Sequence, residues 1–310
     1  MANNLTQLVA STYDSVVAER SKPSNQWSEN AVLNFLEKKG GVKKVAGGAT
    51  LELTLDFQAN SAADFLATDS TTTGTSKTTV LDGATYSFVP LVVPVNWTFT
   101  DEALNMDPNR KVDLVASIVD NAIESHDDAI ETALFAASAT DGFESFLTLM
   151  TEDGTGTVGS IVAGTETWWK NQFKDYGDNS TLLADFRTLA SACAKGTGGS
   201  EPNVIACGAT EYGVYEGKLI ANQRYAGQVG AGSFTALKFG NADLVFSQAA
   251  TNDSYFFMNT KHIKLYVVRS AWRSRRDPVE HINAAMTNMK LFSVLQLATD
   301  NRSRLGVAWT

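Results

Sequence analysis

The stretch "TEDGTGTVGS", residues 151–160, places three glycines, Gly154, Gly156 and Gly159, in the spacing G-x-G-x-x-G. In a dinucleotide-binding enzyme, this spacing follows a buried strand and opens a helix whose N-terminus faces the pyrophosphate. Here the polar "TED" precedes the glycines, the short "SIVAG" follows them, and no repeating βαβ pattern surrounds them. We therefore predict a tight glycine turn, and a dinucleotide-binding enzyme is the alternative to be tested against the structure.

The composition indicates a globular protein of about two domains, since 44% of the 310 residues are hydrophobic and 19% are charged. The net charge of −9 gives the whole molecule a field that repels nucleic acid and anionic membranes. We expect no membrane partner, and contact with DNA only of a non-specific kind. The first residues lack the basic and then apolar pattern of a secretory signal, so an intracellular protein is expected.

Residues that typically carry chemistry are few and scattered. Cys193 and Cys207 lie fourteen positions apart outside any C-x-x-C motif, so we predict small buried apolar side chains. The histidines, His126, His262 and His281, have no metal-ligand spacing, and His126 falls near an apolar helix stripe, which favours a structural role. No Walker lysine loop or G-x-S-x-G motif is present, so the sequence predicts no enzyme activity, no cofactor and no metal.

The strongest helix signal spans residues 107–139. Asp107 is a suitable N-cap and Pro108 fits the first helical position. Beyond them, apolar residues recur at steps of three and four, while acidic residues occupy the opposite side. At 1.5 Å per residue, such a helix is roughly 40 Å long and would form the backbone of a domain.

A long polar stretch separates two extended segments. Residues 49–57 alternate apolar and polar side chains, which predicts a strand, and residues 86–100 are extended but contain Pro90 and Pro94. Because proline donates no hydrogen bond to a ladder, the second segment is predicted to be an edge or irregular strand. Between them, residues 58–85 are either disordered or form a two-stranded arm that needs a neighbouring molecule to lie on, a first indication of self-assembly.

The remaining elements follow from the same patterns. We predict helices over 28–39, 179–195 and 210–226 (with Thr210 as N-cap), and extended segments over 203–207, 242–248, 254–260 and 263–268. The pattern of residues 280–299 fits either a helix or a strand, and we predict a largely extended segment. Together with the long helix, these segments indicate an α+β protein.

One basic cluster, "RSAWRSRRDP" at residues 269–278, contains Arg269, Arg273, Arg275 and Arg276. In an acidic chain these arginines can pair with carboxylates of their own fold, which is the default, with those of a neighbouring subunit, or with phosphate. The overall charge opposes the third alternative.

The glycine-rich region resembles a run found in tailed-phage major capsid proteins. The phrases "DGFESFLTLM", "GTVGSI" and "WWKNQF" carry the resemblance, through Gly142, Phe143, Ser145, Phe146, Thr157, Val158, Gly159, Ile161, Trp168, Trp169 and Asn171. The order of the downstream phrases "NVIACGATEYGVY", "LKFGNADLVFS", "SYFFMNTKHIKL" and "NRSRLGVAWT" is also similar, so the resemblance covers about residues 28–310.

This resemblance implies the capsid fold shared by tailed phages and herpesviruses. The expected units are an N-terminal arm, an extended β-hairpin loop, a peripheral domain with a long spine helix, and an axial domain. Their expected ranges are 1–44 for the arm, 45–99 for the loop, 100–169 and 261–295 for the peripheral domain (spine helix 107–139), and 170–260 and 296–310 for the axial domain.

The resemblance also implies a function, in which copies form hexamers and pentamers of an icosahedral shell around packaged DNA. The expected location is the virion capsid, assembled in the host cytoplasm. Expected partners are other copies, a separate scaffolding protein (because the arm is too short for a fused one), a portal and decoration proteins. The loop would lie across a neighbouring subunit, which makes the interface candidates Asp64, Phe65, Leu66, Lys77, Arg269, Arg273, Arg275 and Arg276. A different phage assembly protein, such as a tail-tube subunit, is the structural alternative.

Overall fold

The computed structural model describes residues 31–57, 79–104, 114–177, 179–194, 201–219, 237–250, 253–282 and 284–310. The predicted contact residues Asp64, Phe65, Leu66 and Lys77 lie outside the described residues, as does the predicted start of the long helix at 107–113.

The described residues form sixteen strands and six α-helices. In chain order the strands are β1 (Val42–Val45), β2 (Thr50–Asp56), β3 (Leu81–Ser87), β4 (Val89–Thr98), β5 (Thr157–Val158), β6 (Ile161–Val162), β7 (Gln172–Asp175), β8 (Val204–Cys207), β9 (Leu237–Phe239), β10 (Ala242–Phe246), β11 (Ser254–Met258), β12 (Ile263–Val268), β13 (Ser274–Arg275), β14 (Val279–Glu280), β15 (Met286–Thr299) and β16 (Gly306–Trp309). The helices are α1 (Ala31–Lys38), α2 (Phe99–Leu104), α3 (Leu114–Leu134), α4 (Phe146–Leu149), α5 (Leu182–Cys193) and α6 (Ala209–Lys218). No described helix is long and apolar enough to span a membrane.

The first sheet is organised around β15, a strand of fourteen residues. β4 runs antiparallel along one side of it, while β12, β13 and β14 pair with its other side and β1 adds parallel to β12. β4 was placed in the predicted loop unit, yet ten of its residues pair with β15. The division into four units stays a prediction.

The prolines of β4 occupy positions where a ladder hydrogen bond is not needed. The Phe99 N–H donates to the Ala285 carbonyl at 3.2 Å, which fixes the hydrogen-bond pattern of the ladder. The backbone groups of the odd-numbered residues of β4 therefore hydrogen-bond to β15, whereas those of the even-numbered residues point away from β15. Pro90 and Pro94 are both even-numbered and pair opposite Val294 and Lys290 without losing a bond. Within the described residues β4 has no second neighbour, which confirms the predicted edge strand.

The long helix α3 packs on the β4 side of this sheet. Ile118, Val119 and Ala122 contact a small cluster formed by Val95, Trp97 and Met289. The helix ends at Leu134, five residues before the predicted end at 139, so the prediction for 135–139 is wrong. Tertiary packing accounts for the early end of the helix. Phe135, the first residue after it, packs edge-on against Phe146 with ring centroids 5.2 Å apart.

The second sheet has the order β7-β16-β11-β8-β10-β9, and its central strands β8 and β11 are buried on both faces. On β8 and β11, alternate side chains point to opposite sides: Val204, Ala206 and Phe256 join the core shared with the first sheet, whereas Ile205 and Tyr255 pack against α5 and α6. The second helix of this layer, α6, has Gly208 as its N-cap. Thr210 lies inside the helix, which corrects the predicted cap.

The N-terminus of α1 is held by a buried carboxylate of α3. Glu131, only 3% exposed, accepts hydrogen bonds from the backbone N–H groups of Val32 (3.4 Å) and Leu33 (3.0 Å). These N–H groups have no partner within the helix, so the carboxylate satisfies them and complements the helix dipole. Burial nevertheless raises the pKa of Glu131 above its ordinary value, since desolvation outweighs the hydrogen bonds.

This raised pKa predicts a specific pH dependence of stability. The native state retains the Glu131 proton to a higher pH than the unfolded chain does, so the stabilisation from this group is full below about pH 4.5 and is lost as the pH rises through the folded pKa. Relative to Glu131→Gln, which cannot titrate, the unfolding free energy of the parent should fall by up to about 1.4 kcal/mol per pH unit across this window. Urea unfolding at a series of pH values measures the difference, and a difference that rises with pH would contradict the assignment.

Candidate functional site

The glycine-rich stretch forms a tight β-hairpin. Strands β5 and β6 pair through Thr157↔Val162 and Val158↔Ile161, and the two linking residues, Gly159 and Ser160, have φ values of +60° and +66°. Positive φ at both central positions is the requirement of a type I′ hairpin turn. The tight-turn prediction is confirmed, and the dinucleotide-binding interpretation is wrong because the stretch continues into a strand instead of a helix.

A second hairpin consists of β2 and β3 and lies within the predicted extended loop. We call this hairpin the arm; the name does not refer to the N-terminal arm expected at residues 1–44. Its ladder runs from Thr50↔Ser87 to Asp56↔Leu81 and is extended by a hydrogen bond from the Phe57 N–H to the Val80 carbonyl at 3.1 Å. Of the two alternatives for residues 58–85, the paired one therefore holds for β3. Residues 58–78, which connect the two strands, lie outside the described residues.

The glycine hairpin contacts the base of the arm. The Thr85 N–H points away from β2 and donates to the Gly159 carbonyl at 3.0 Å. On the neighbouring positions, Ala84 and Tyr86 are buried, and the Tyr86 hydroxyl donates to the Thr299 carbonyl at 3.0 Å. Burial raises the pKa of Tyr86, so the hydroxyl stays protonated and able to donate.

Aromatic side chains hold the two hairpins together. Trp168 stacks on Phe57 of the arm with ring centroids 4.7 Å apart, and the Trp169 indole N–H donates to the Val158 carbonyl at 3.0 Å. The Asn171 amide donates to the Thr151 carbonyl at 2.7 Å, where the glycine-rich stretch begins. The residues that carried the family resemblance thus have packing roles at this junction.

A buried arginine fixes the backbone just before the glycine hairpin. Arg302 is fully buried; its Nε donates to the Leu149 carbonyl and its Nη2 to the Thr155 carbonyl, both at 2.7 Å. Burial lowers the pKa of Arg302 to about 10. Nη1 has no hydrogen-bond partner among the described residues. The sequence shows Arg302 only as a further charge beyond the arginine cluster, and neither its burial nor its carbonyl partners could be predicted from the sequence.

The arginine cluster is divided between internal and exposed positions. Arg273 forms a bidentate pair with Asp127 (Nε–Oδ1 3.1 Å, Nη2–Oδ2 2.8 Å) and lies 3.4 Å from a Glu37 carboxylate oxygen. It therefore pairs within its own fold, the default alternative. Arg269, Arg275 and Arg276 are exposed. Their predicted role at an interface stays a prediction.

The Asp127 carboxylate also belongs to a Ser-His-Asp arrangement. His126 lies 3.0 Å from Asp127 Oδ1 through Nδ1 and 2.8 Å from the Ser293 hydroxyl through Nε2. Both His126 and Ser293 are fully buried, and the Ser293 oxygen accepts the Arg273 N–H at 2.9 Å. No substrate reaches a serine in this position, so the arrangement ties α3 to β15. The predicted structural role of His126 is confirmed, whereas Ser293, 167 positions away, could not be foreseen.

The described residues contain no group of three or more His, Cys, Asp or Glu side chains placed to hold a metal ion. Cys193 and Cys207 are fully buried and form no disulfide, which confirms the predicted apolar role. Burial raises the pKa of the Cys207 thiol, which keeps it in the unreactive protonated form.

The Arg273–Asp127–His126 network predicts a position-specific loss of stability. Asp127→Ala leaves the partly buried Arg273 guanidinium with only its longer carboxylate contact, to Glu37, and leaves the buried His126 Nδ1 without its partner. We expect a loss of about 2–3 kcal/mol in unfolding free energy. Asp128→Ala removes the same charge from the adjacent, exposed position and should change stability by less than about 0.5 kcal/mol. Equal effects of the two variants in urea unfolding would contradict the role assigned to Asp127.

Comparison with known proteins was made through sequence and through structure. No protein-family model and no curated protein matches the sequence. Among solved structures, the chain is similar to the Cyanophage A-1(L) capsid asymmetric unit, with 16% identity and a TM-score of 0.65 over 96% of this chain and 98% of that one. The capsid of a native GTA particle gives 12% identity and a TM-score of 0.64, covering 96% and 95% of the two chains.

The likeness extends to a holo-SrpI encapsulin complex from Synechococcus elongatus PCC 7942, with 10% identity and a TM-score of 0.62 over 100% of this chain and 95% of that chain. At these identities the comparison concerns the fold. The chain has the α+β fold of the tailed-phage major capsid proteins.

Proposed function

We propose that this protein is a major capsid protein, whose copies assemble into hexamers and pentamers of a closed icosahedral shell. The observation that carries the proposal is the fold, which matches capsid structures over 96% of the chain. Because these matches are to capsids and span the whole molecule, we prefer this function to that of a tail-tube subunit. The buried Ser-His-Asp arrangement does not favour an enzyme.

Exposed apolar surface on the arm supports the proposed self-assembly. At the end of its described ladder Leu81 is 58% exposed, although an isolated two-stranded hairpin is marginal in water. A neighbouring subunit under the arm would bury this apolar surface. Ring-shaped assemblies arise from heterologous contacts of this kind, in which one part of a subunit lies on a different part of the next.

A second exposed apolar region lies at the end of the first sheet. Val279 is 65% exposed, Ile282 is 97% exposed and Phe99 is 41% exposed. The last two border an open cavity of about 550 Å³, which is also lined by Glu280, His281, Ala284 and Ala285. Clustered apolar exposure of this kind marks protein–protein contacts, so we assign this end to contacts between copies.

The charge supports a shell that does not bind its contents tightly. With a net charge of −9, the subunit repels nucleic acid at long range. We propose that packaged DNA is enclosed without specific contacts, and that a scaffolding protein, a portal and decoration proteins complete the particle in the host cytoplasm.

The first experiment is negative-stain electron microscopy of the purified protein, alone and with a co-expressed scaffolding protein. We expect closed shells, or rings of six and five subunits; a small oligomer under both conditions would contradict the proposal.

Because the fold also occurs in an encapsulin complex, the contents of the shell need a separate test. Nuclease-protected DNA in particles from infected cells supports a virion capsid, and shells without it contradict DNA enclosure.

The role of the arm is tested by shortening it at its described end. Replacing residues 58–79 by Asn-Gly joins Phe57 and Val80, which already form a hydrogen-bonded pair, through a two-residue hairpin loop. The variant should remain folded by circular dichroism but should no longer close shells. The Leu81→Ser variant of the full-length chain tests the exposed apolar surface of the retained ladder and should also impair shell closure. Normal shells from the shortened protein would exclude residues 58–79 from assembly, and normal shells from both variants would exclude the arm.

A further inference from the structure

The glycine hairpin approaches the arm most tightly at Gly159, whose surroundings leave no space for a side chain. A Cβ atom built there would lie 2.8 Å from the Ala84 Cβ and 2.9 Å from the Tyr86 ring. Its φ of +60° lies in the left-handed region, which most other residues adopt only at an energetic cost. Two independent requirements, close approach and backbone conformation, therefore select glycine at this position.

The other side of the glycine hairpin is fixed to the core. Arg302 holds the Leu149 and Thr155 carbonyls, and the Trp169 indole holds the Val158 carbonyl. These hydrogen bonds fix the position of the glycine hairpin relative to the core. The hairpin therefore lies as a fixed contact between the core and the base of the arm.

We propose that the glycine hairpin is a bracket that sets the direction of the arm, and that Gly159 is its positioning residue. This inference rests on the proposed function, in which the arm reaches a neighbouring subunit. The bracket contacts β3 on the side that does not pair with β2, since the Thr85 N–H donates to Gly159 and not to Glu52 opposite. It can therefore guide the arm without disturbing its ladder.

Geometry explains why the direction matters. From Ala84 to the end of the described ladder at Val80, the arm extends about 14 Å at roughly 3.4 Å per residue. A tilt of about 10° at the base would displace that end by roughly 2 Å, and any point further out by more. Side-chain packing between subunits tolerates less than this, so a displaced arm would miss its contacts.

The experiment measures the position of the arm relative to α5 in unassembled subunits, so the result does not depend on shell formation. Spin labels at Leu81→Cys on the arm and Leu183→Cys on α5 report one distance by electron–electron resonance; both positions are exposed, and the two native cysteines are fully buried. In the parent we expect one narrow distance distribution. Gly159→Ala should shift or broaden it by about 2 Å or more, in keeping with the tilt estimated above.

Gly156→Ala is the matched control. Gly156 lies in the same stretch with φ +90°, but its added Cβ would meet only a Thr151 methyl at 3.9 Å. It carries similar backbone strain without the contact with the arm, so the distance should stay unchanged. If Gly159→Ala does not fold, Thr85→Pro removes the N–H that donates to Gly159, leaves the bonds to β2 and should give the same shift.

Assembly provides the second readout. Gly159→Ala, or Thr85→Pro in its place, should give a loss of closed shells that Gly156→Ala does not show. An unchanged distance in the arm variants, or an equal change in Gly156→Ala, would overturn the bracket whether or not shells form. A shifted distance in a protein whose parent forms no shells would uphold the bracket and refute the proposed function.

Discussion

The buried polar side chains of β15 are the constraint on which the rest of the structure depends. Ser293, Gln296 and Thr299 are all fully or almost fully buried in the otherwise apolar C-terminal part of the strand, residues 291–299. A buried polar group without a hydrogen bond costs several kcal/mol, so each of them requires a hydrogen-bond partner. The Ser293 hydroxyl bonds to His126 of α3. The Thr299 hydroxyl accepts the Asn301 N–H, and the Thr299 backbone carbonyl accepts the Tyr86 hydroxyl of the arm.

Gln296 completes this set, because its amide donates to the Ser87 and Gly142 carbonyls at 2.8 Å each and its oxygen accepts the Glu144 N–H. One central strand thus fixes the long helix, the base of the arm and the turn that leads to the glycine hairpin. Hydrogen bonds are directional, whereas apolar contacts tolerate sliding. The polar positions therefore determine where the elements attach, and the apolar positions determine how strongly.

Sequence reasoning succeeded where a local property determines the structure. The alternation of residues 49–57 predicted β2, the prolines at 90 and 94 predicted an edge strand, and the spacing of apolar residues predicted α3. Sequence reasoning failed where a contact with a residue distant in the sequence determines the structure. The helix end at Leu134 depends on the packing of Phe135 against Phe146, and the anchoring of α1 depends on Glu131, 98 positions from Leu33.

The candidate site was predictable to a similar extent. The G-x-G-x-x-G spacing was enough to predict a tight turn, since glycine permits the positive φ that such a turn needs. Its partner, the arm, is separated from Gly159 by more than seventy residues of sequence, and no periodicity connects them. The arginine cluster likewise signalled charge pairing without identifying Asp127 as the acceptor for Arg273.

The arginines of the described residues divide into those paired inside the fold and those exposed on its surface. Arg302 has no carboxylate within the described residues to pair with and is held by backbone carbonyls, and Arg273 is neutralised by Asp127; both cations are used inside the subunit. Arg275 and Arg276 remain exposed beside the edge of an acidic protein. In the assembly proposed above, these arginines would bind carboxylates of neighbouring copies bidentately, which would fix the orientation of the contact. Repulsion between the acidic copies would oppose contacts made in other orientations, so the proposed assembly would favour an ordered lattice over aggregation.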